Sequence, residues 1–246
     1  MSDTTVAPAK VELEVGYAGK SIPRKEDGRL VQGQGVFADD IKRHGMGYVH
    51  FVRAPYAHAE IVASSEARAR PILGEVCAQI ADVQVRNRGT IGGNICTNDP
   101  TNHLPPLLAA LGARMTIAGP DGERTVSADE FFEGVYMTAV HPGELLTSVR
   151  VPAKGDARDG WASITLGKEG TGIVNVAASV SGGNARIAIG CVAATPVVLT
   201  ASADETAVRD AVRSANLDPP GDVHASADYR RHLAGVLAAR AVRDAV

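Results

Sequence analysis

From Ile72 to Val85, apolar residues recur at helical spacing (Ile72, Leu73, Val76, Ile80 and Val83), which predicts one amphipathic helix. Pro105–Leu111 reads as another helix, its proline tolerated in the first turn, where the missing N–H has no intrahelical partner. Ala113–Ala118 reads as a strand and Gly119–Gly122 as its turn, while Ser127 to Phe132 predicts a short helix. Ser127 caps that helix, and Asp129 and Glu130 suit its positive end. Three β-rich runs, Trp161–Leu166, Ile173–Val180 and Ala185–Val192, are separated by glycines. They predict an antiparallel three-stranded sheet with one face packed on helices. Asp204–Ala215 and Ala225–Ala245 supply those helices, the second with Leu233, Val236, Leu237 and Val242 on one stripe. The fold class expected from these elements is α+β.

The texture upstream is different. Residues 1–15 are small and polar and are expected to be a disordered tail. In 16–70, short apolar pieces such as Gly47–Arg53 and Glu60–Ala63 alternate with Gly, Pro and Asp, as strands and turns do. That segment is too short to close a core by itself. The expected divisions are therefore 1–15, 16–70, 71–152 and 153–246, with no internal repeat or low-complexity tract.

Composition narrows the function classes. A chain of 246 residues with 45% hydrophobic and 22% charged residues is an ordinary globular protein of about two domains. Aromatics are only 4%, so its core must be built from Ala, Val, Leu and Ile. A net charge of −3 without a basic block argues against nucleic acid as a partner. Cys77, Cys96 and Cys191 are far apart and odd in number, which excludes a disulfide framework and a CxxC metal pattern and leaves buried reduced thiols. His44, His50 and His58 lack metal-ligand spacing. With no apolar leader and no stretch near the ~18 residues of a membrane span, a cytoplasmic location is expected.

Candidate chemistry concentrates at Arg86–Pro105. Thr90-Ile91-Gly92-Gly93-Asn94 places two glycines between hydrogen-bonding side chains. Glycine permits φ > 0 and close backbone approach, so successive N–H groups there can converge on an anion such as a diphosphate. By itself the string reads better as a plain Gly-Gly turn, because glycine pairs are common turn punctuation. Gly167, Gly170 and Gly172 form a looser string that precedes a strand, whereas a dinucleotide fingerprint precedes a helix; it reads as a hairpin turn. Arg86 and Arg88 could steer an anion or form a solvated face.

VQVRNRGTIGGN, then DPTNHLPPLLAALGA, then ADEFFEGVYMTAVHPGELLTSVRVP together resemble the FAD-binding medium subunits of the molybdenum hydroxylases, a family that includes aerobic carbon monoxide dehydrogenase and xanthine dehydrogenase. GWASITLGKEGTGIVNVAASVSGGNARIAIGCVAATPVVL and DVHASADYRRHLAGVLAARAV resemble the same family's C-terminal domain, and the likeness covers about 175 residues. It implies a partial FAD-binding α/β lobe at 71–152, a C-terminal flavoprotein domain at 153–246, and FAD as cofactor. It also implies an iron–sulfur small subunit and a molybdopterin large subunit as partners. Thr90, Ile91, Gly92, Gly93 and Asn94 are then a diphosphate and ribityl loop. Leu146 falls at an apolar position beside the isoalloxazine, or is simply a core leucine. His103 falls where relatives carry an acid near the nucleotide, and otherwise reads as a surface histidine. The lysine that relatives place near the ring aligns with Ser163, and Lys168 could replace it in another strand register. The implied task is electron transfer, with no residue acting as general acid or base.

The segment from Gly19 to Arg68 resembles instead the opening of the family's molybdopterin subunit, which suggests an in-frame fusion of two reading frames. No AGGxS-like loop, the first half of the family's diphosphate site, occurs upstream of Thr90. Weakened flavin binding is therefore expected, the alternatives being a non-catalytic remnant that keeps only subunit contacts, or a nucleotide module that uses the glycine loop for another ligand.

Overall fold

A computed structural model describes residues 70–167 and 170–245, all within the compact unit His58–Val246. The readings made above for 1–69, including the three histidines and the strand-like pieces, lie outside the described residues, as does Lys168.

The helix expected from Ile72 to Val85 is two helices, α1 (Ile72–Cys77) and α2 (Val83–Arg88). Between them Ala81 turns to φ 46°, and Asp82 starts the second helix by accepting a hydrogen bond from the Val85 N–H at 2.8 Å. A good N-cap inside an apolar period wins locally over continuation of the helix. Val83 and Val85 consequently face solvent, and the apolar stripe does not reach them.

After α2 come α3 (Ile91–Thr97) and α4 (Leu104–Ala110), the latter buried along its whole length with prolines in its first turn. Strands β1 (Arg114–Gly119) and β2 (Gly122–Ser127) form a hairpin around the turn expected at Gly119–Gly122, β2 being a strand the sequence reading did not name. Next are α5 (Ala128–Phe131), a small hairpin of β3 (Phe132–Gly134) and β4 (Met137–Thr138), and β5 (Leu145–Arg150), which pairs with β1 in the order β2-β1-β5. At α5 the Ser127 and Glu130 side chains each bond the other's backbone N–H, a capping box where the SADEFF string suggested a Ser127 cap.

The C-terminal part holds β6 (Arg158–Leu166), β7 (Thr171–Ser181), β8 (Asn184–Gly190) and β9 (Val197–Ser202), antiparallel in that order, with α6 (Glu205–Ser214) and α7 (Ala227–Ala245). The sheet has four strands where three were expected. The fourth, β9, is an edge strand whose side chains are all at least partly exposed, so its hydrophobic period is weak. Both faces of the sheet are covered. On one, Val174, Val176, Ile187 and Ile189 pack against Val208 and Val212 of α6 and Leu233, Leu237 and Val242 of α7. On the other, Ala177, Ala188, Trp161 and Val198 meet Leu107 and Leu108 of α4 and a core with Val76, Ile95, Met115, Ile117 and Phe131. Ala177 and Ala188 are register partners, and two small side chains side by side let α4 lie close to the sheet. The lobe carrying α3 is thus fused to the C-terminal sheet through a shared apolar core, which fixes the position of the glycine turn.

Candidate functional site

Thr90 is the N-cap of α3, and Gly92, Gly93 and Asn94 lie in its first turn. Thr90 Oγ accepts from the Gly93 N–H at 2.9 Å, and the Thr90 carbonyl accepts from the Asn94 N–H at 3.0 Å. The left-handed conformation expected of these glycines is absent: neither is among the described residues with positive φ. Converging N–H groups arise here from a helix start, whose first N–H groups have no intrahelical acceptor. What glycine provides is room. A Cβ at Gly93 would come within 3.0 Å of Thr90 Oγ, whereas one at Gly92 would meet only Leu146 Cδ2, at 3.9 Å. Thr90, Ile91 and Gly93 are exposed, so the turn is open to solvent.

Leu146, on β5, is half-buried and packs against the lobe core, and its Cδ2 would lie 3.9 Å from a Cβ at Gly92. Asn94 is half-buried, yet its Oδ1 is enclosed with no hydrogen-bond partner. His103 is not on the surface. It precedes α4, is 2% exposed, and stacks on Trp161 with ring centroids 5.5 Å apart. Its Nε2 has no partner, and burial depresses its pKa below the ordinary histidine value. Trp161 in turn donates from Nε1 to Gln79 Oε1 at 3.3 Å. Ser163 sits on β6, in register with Asn175 of β7. The Gly167–Gly170 string is the β6–β7 hairpin turn, as expected, with both glycines at positive φ. Arg86 is not a free cation: its Nη1 donates to the carbonyls of Ile80 (2.8 Å) and Ala81 (2.6 Å) and braces the α1–α2 break. Only Cys191 of the three thiols is fully buried, and Cys77 and Cys96 are half-buried.

The sequence reading passed over the residues that hold this turn in place. Asn98 caps α3 in the left-handed region at φ 45°; its Nδ2 donates to the carbonyls of Gly134 (2.7 Å) and Met137 (2.9 Å). Asp99 accepts from Thr101 N–H and Oγ and from Tyr136 Oη at 2.9 Å. Burial pushes the Asp99 carboxyl up, but these three bonds outweigh it and hold it below the ordinary value. Asn102 donates to the Asn94 carbonyl at 3.2 Å. The signal was present as a run of Asn and Asp directly after the glycine turn, NDPTN, because these side chains favour caps and turns.

Comparison with known proteins decides the family. The family described as "FAD binding domain in molybdopterin dehydrogenase" matches residues 41–154. The chain is 38% identical over 205 residues to the carbon monoxide dehydrogenase medium chain of Afipia carboxidovorans, covering 76% of this chain and 71% of that one. This chain belongs to the FAD-binding medium-subunit family of the molybdenum hydroxylases. It is also 30% identical to the glyceraldehyde dehydrogenase medium chain of Sulfolobus acidocaldarius, over 71% of this chain and 67% of that one. Among solved structures it is similar to reconstituted CO dehydrogenase from Oligotropha carboxidovorans, with TM-score 0.69 and 35% identity over 75% of this chain and 71% of that one. It is similar too to quinoline 2-oxidoreductase from Pseudomonas putida 86, with TM-score 0.65 and 33% identity over 74% and 69% of the two chains. Family members bind FAD and are oxidoreductase subunits, and the mixed helix-and-antiparallel-sheet architecture agrees with theirs. Among the described residues no helix is long and apolar enough to cross a membrane, and no cluster of His, Cys, Asp and Glu could hold a metal ion.

Proposed function

We propose that this chain is the electron-transfer flavoprotein subunit of a molybdenum hydroxylase, and that the Thr90–Asn94 turn holds the diphosphate and ribityl part of its FAD. The observation that carries the assignment is the open, capped, glycine-bearing start of α3 in a chain of an FAD-binding family. The first N–H groups of that helix have no intrahelical acceptor, and a Cβ at Gly92 would meet nothing nearer than Leu146 Cδ2 at 3.9 Å, so the turn leaves room for an anion at those donors. The donor set therefore fits the cofactor. When bound, FAD supplies the redox chemistry, accepting electrons and passing them on.

The chain's own residues bind and orient. The Ile91 and Gly92 N–H groups would hold the diphosphate, Thr90 fixes the turn by its cap bond, and Leu146 and Ile91 would offer apolar surface to the ring. His103 is assigned to packing on Trp161, because its ring is enclosed and stacked rather than open to a ligand. An iron–sulfur small subunit and a molybdopterin large subunit are the partners that fit a medium chain. Similar proteins are named for carbon monoxide and for glyceraldehyde, substrates with little in common, which suits a subunit that carries electrons and leaves substrate choice to another chain. Residues 1–89 contain no second glycine loop of the AGGxS kind, so two or three charge-assisted bonds of ~1.5–3 kcal/mol each are forgone and affinity is lowered by several orders of magnitude.

Titration of the purified chain with FAD, read by flavin fluorescence quenching and by the visible spectrum, tests this. Saturable binding that weakens at least tenfold in Asn94→Ala supports the assignment. Absence of binding by a cooperatively folded chain, or equal binding by the variant, overturns it.

A further inference from the structure

The glycine turn sits on a short rigid element whose other end is tied to the C-terminal sheet. Helix α3 has seven residues, about 10 Å at 1.5 Å per residue, so whatever fixes its C-terminal turn also fixes its first. Asn102 Nδ2 donates to the Asn94 carbonyl at 3.2 Å, beside the Asn98 N–H that the same carbonyl accepts at 3.3 Å, so two bonds hold the last turn of the helix. The backbone of Asn102 is itself held. Asn175, fully buried on β7, donates from Nδ2 to the carbonyls of Thr101 (3.1 Å) and Asn102 (3.4 Å). Gly172, three residues earlier on β7 and next to an irregularity in its pairing with β6, makes room for this contact: a Cβ there would lie 2.7 Å from the Thr101 carbonyl oxygen and overlap the Asn175 amide. β7 is the most enclosed strand of the sheet, packed on both faces, and is the least compliant anchor available. A continuous path of hydrogen bonds thus runs from β7 through Asn175 and Asn102 to Asn94.

We propose that Asn102 and Asn175 are positioning residues for the Thr90–Asn94 turn, transmitting the rigidity of the C-terminal sheet to a loop at the other side of the shared core. The inference rests on reading that turn as the flavin loop, and its test separates the two ideas. Asn102→Ala and Asn175→Ser are compared with the unaltered full chain in three measurements: FAD dissociation constant, urea midpoint, and amide hydrogen exchange at Asn94 and Asn98, whose N–H groups bond to Thr90 and Asn94 carbonyls. Asn102 is half-buried, so Asn102→Ala keeps the test alive even if Asn175→Ser does not fold.

The expected result for Asn102→Ala is an FAD dissociation constant raised about tenfold, and exchange at Asn94 and Asn98 about tenfold faster, with exchange in β7 and the urea midpoint unchanged. Unchanged affinity alongside clear binding by the unaltered chain overturns the positioning role and leaves the flavin reading standing. If the unaltered chain binds no FAD, the flavin reading falls and exchange decides alone: local loosening of α3 supports positioning. Unaltered protection, or loss spread over the whole unit, refutes it.

Discussion

Gly92→Ala separates a glycine kept for folding from one kept for a ligand. Gly92 lies in the first turn of α3 without positive φ, and the nearest atom to an added Cβ is Leu146 Cδ2 at an ordinary contact distance of 3.9 Å. Alanine is the better helix former by up to ~1 kcal/mol and narrows the unfolded ensemble, so a compatible Gly→Ala change stabilises by about 0.4–1 kcal/mol. In a domain of this size that is a rise in Tm of roughly 1–4 °C. If the turn holds the diphosphate, the same methyl group narrows the approach to it, so FAD affinity should fall at least tenfold, about 1.4 kcal/mol. Gly93→Ala is the internal contrast: its Cβ would sit 3.0 Å from Thr90 Oγ and strain the cap, a bond worth about 1 kcal/mol. Thermal denaturation followed by circular dichroism, with FAD fluorescence titration of each variant, reads both quantities. A Gly92→Ala protein that is less stable, or one that is more stable and binds FAD as before, would refute the reasoning.

Three further outcomes follow from the buried polar groups. Arg70 and Asp159 form a buried ion pair at 3.0 Å, with side chains 6% and 4% exposed, and Ser179 Oγ donates to the same carboxylate at 2.9 Å. Asp159→Asn leaves the Arg70 charge enclosed and should cost about 3–5 kcal/mol by urea denaturation; a loss under about 1 kcal/mol contradicts this. Burial lowers the His103 pKa, so the unfolded chain binds this proton more readily. Its contribution to stability is complete above about pH 6.5 and is lost as pH falls from there through the lower folded value. Trp161 is the single tryptophan and stacks on the ring, so its emission should titrate below 6.5 in the native chain and not in His103→Gln. Burial pushes the Cys191 thiol up to about 12, so iodoacetamide at pH 8 should leave it unmodified until the chain unfolds, and label half-buried Cys77 and Cys96 first. Early labelling of Cys191 would contradict its enclosure.

Much of the fold was legible because its elements announce themselves locally. The prolines before Leu107, the SADEFF cap and the glycines bounding β7 each carry a conformational preference that tertiary packing did not override. The misses share a cause. Asp82 split one apolar period into two helices, because a side chain that can cap competes with the pattern around it. β9 escaped notice because an edge strand need not alternate. The conformation of the glycine turn was misread, since TIGGN suits a left-handed turn as well as the capped start of a helix. His103 was placed on the surface because it ends the polar run NDPTNH, which carries no sign of the tryptophan 58 positions away that stacks on it. Asn175 was invisible for the same reason: its partners are carbonyls of another segment, brought close only by the shared core.

The most direct test of the flavin site is residue-resolved. A ¹⁵N-labelled chain is titrated with FAD, and the amide resonances of Ile91, Gly92, Gly93 and Asn94 are followed by two-dimensional NMR. The account predicts saturable shifts of these four amides with one common dissociation constant, which Gly92→Ala raises at least tenfold. Shifts confined to residues away from α3, or none at FAD concentrations far above that constant's expected range, would contradict it.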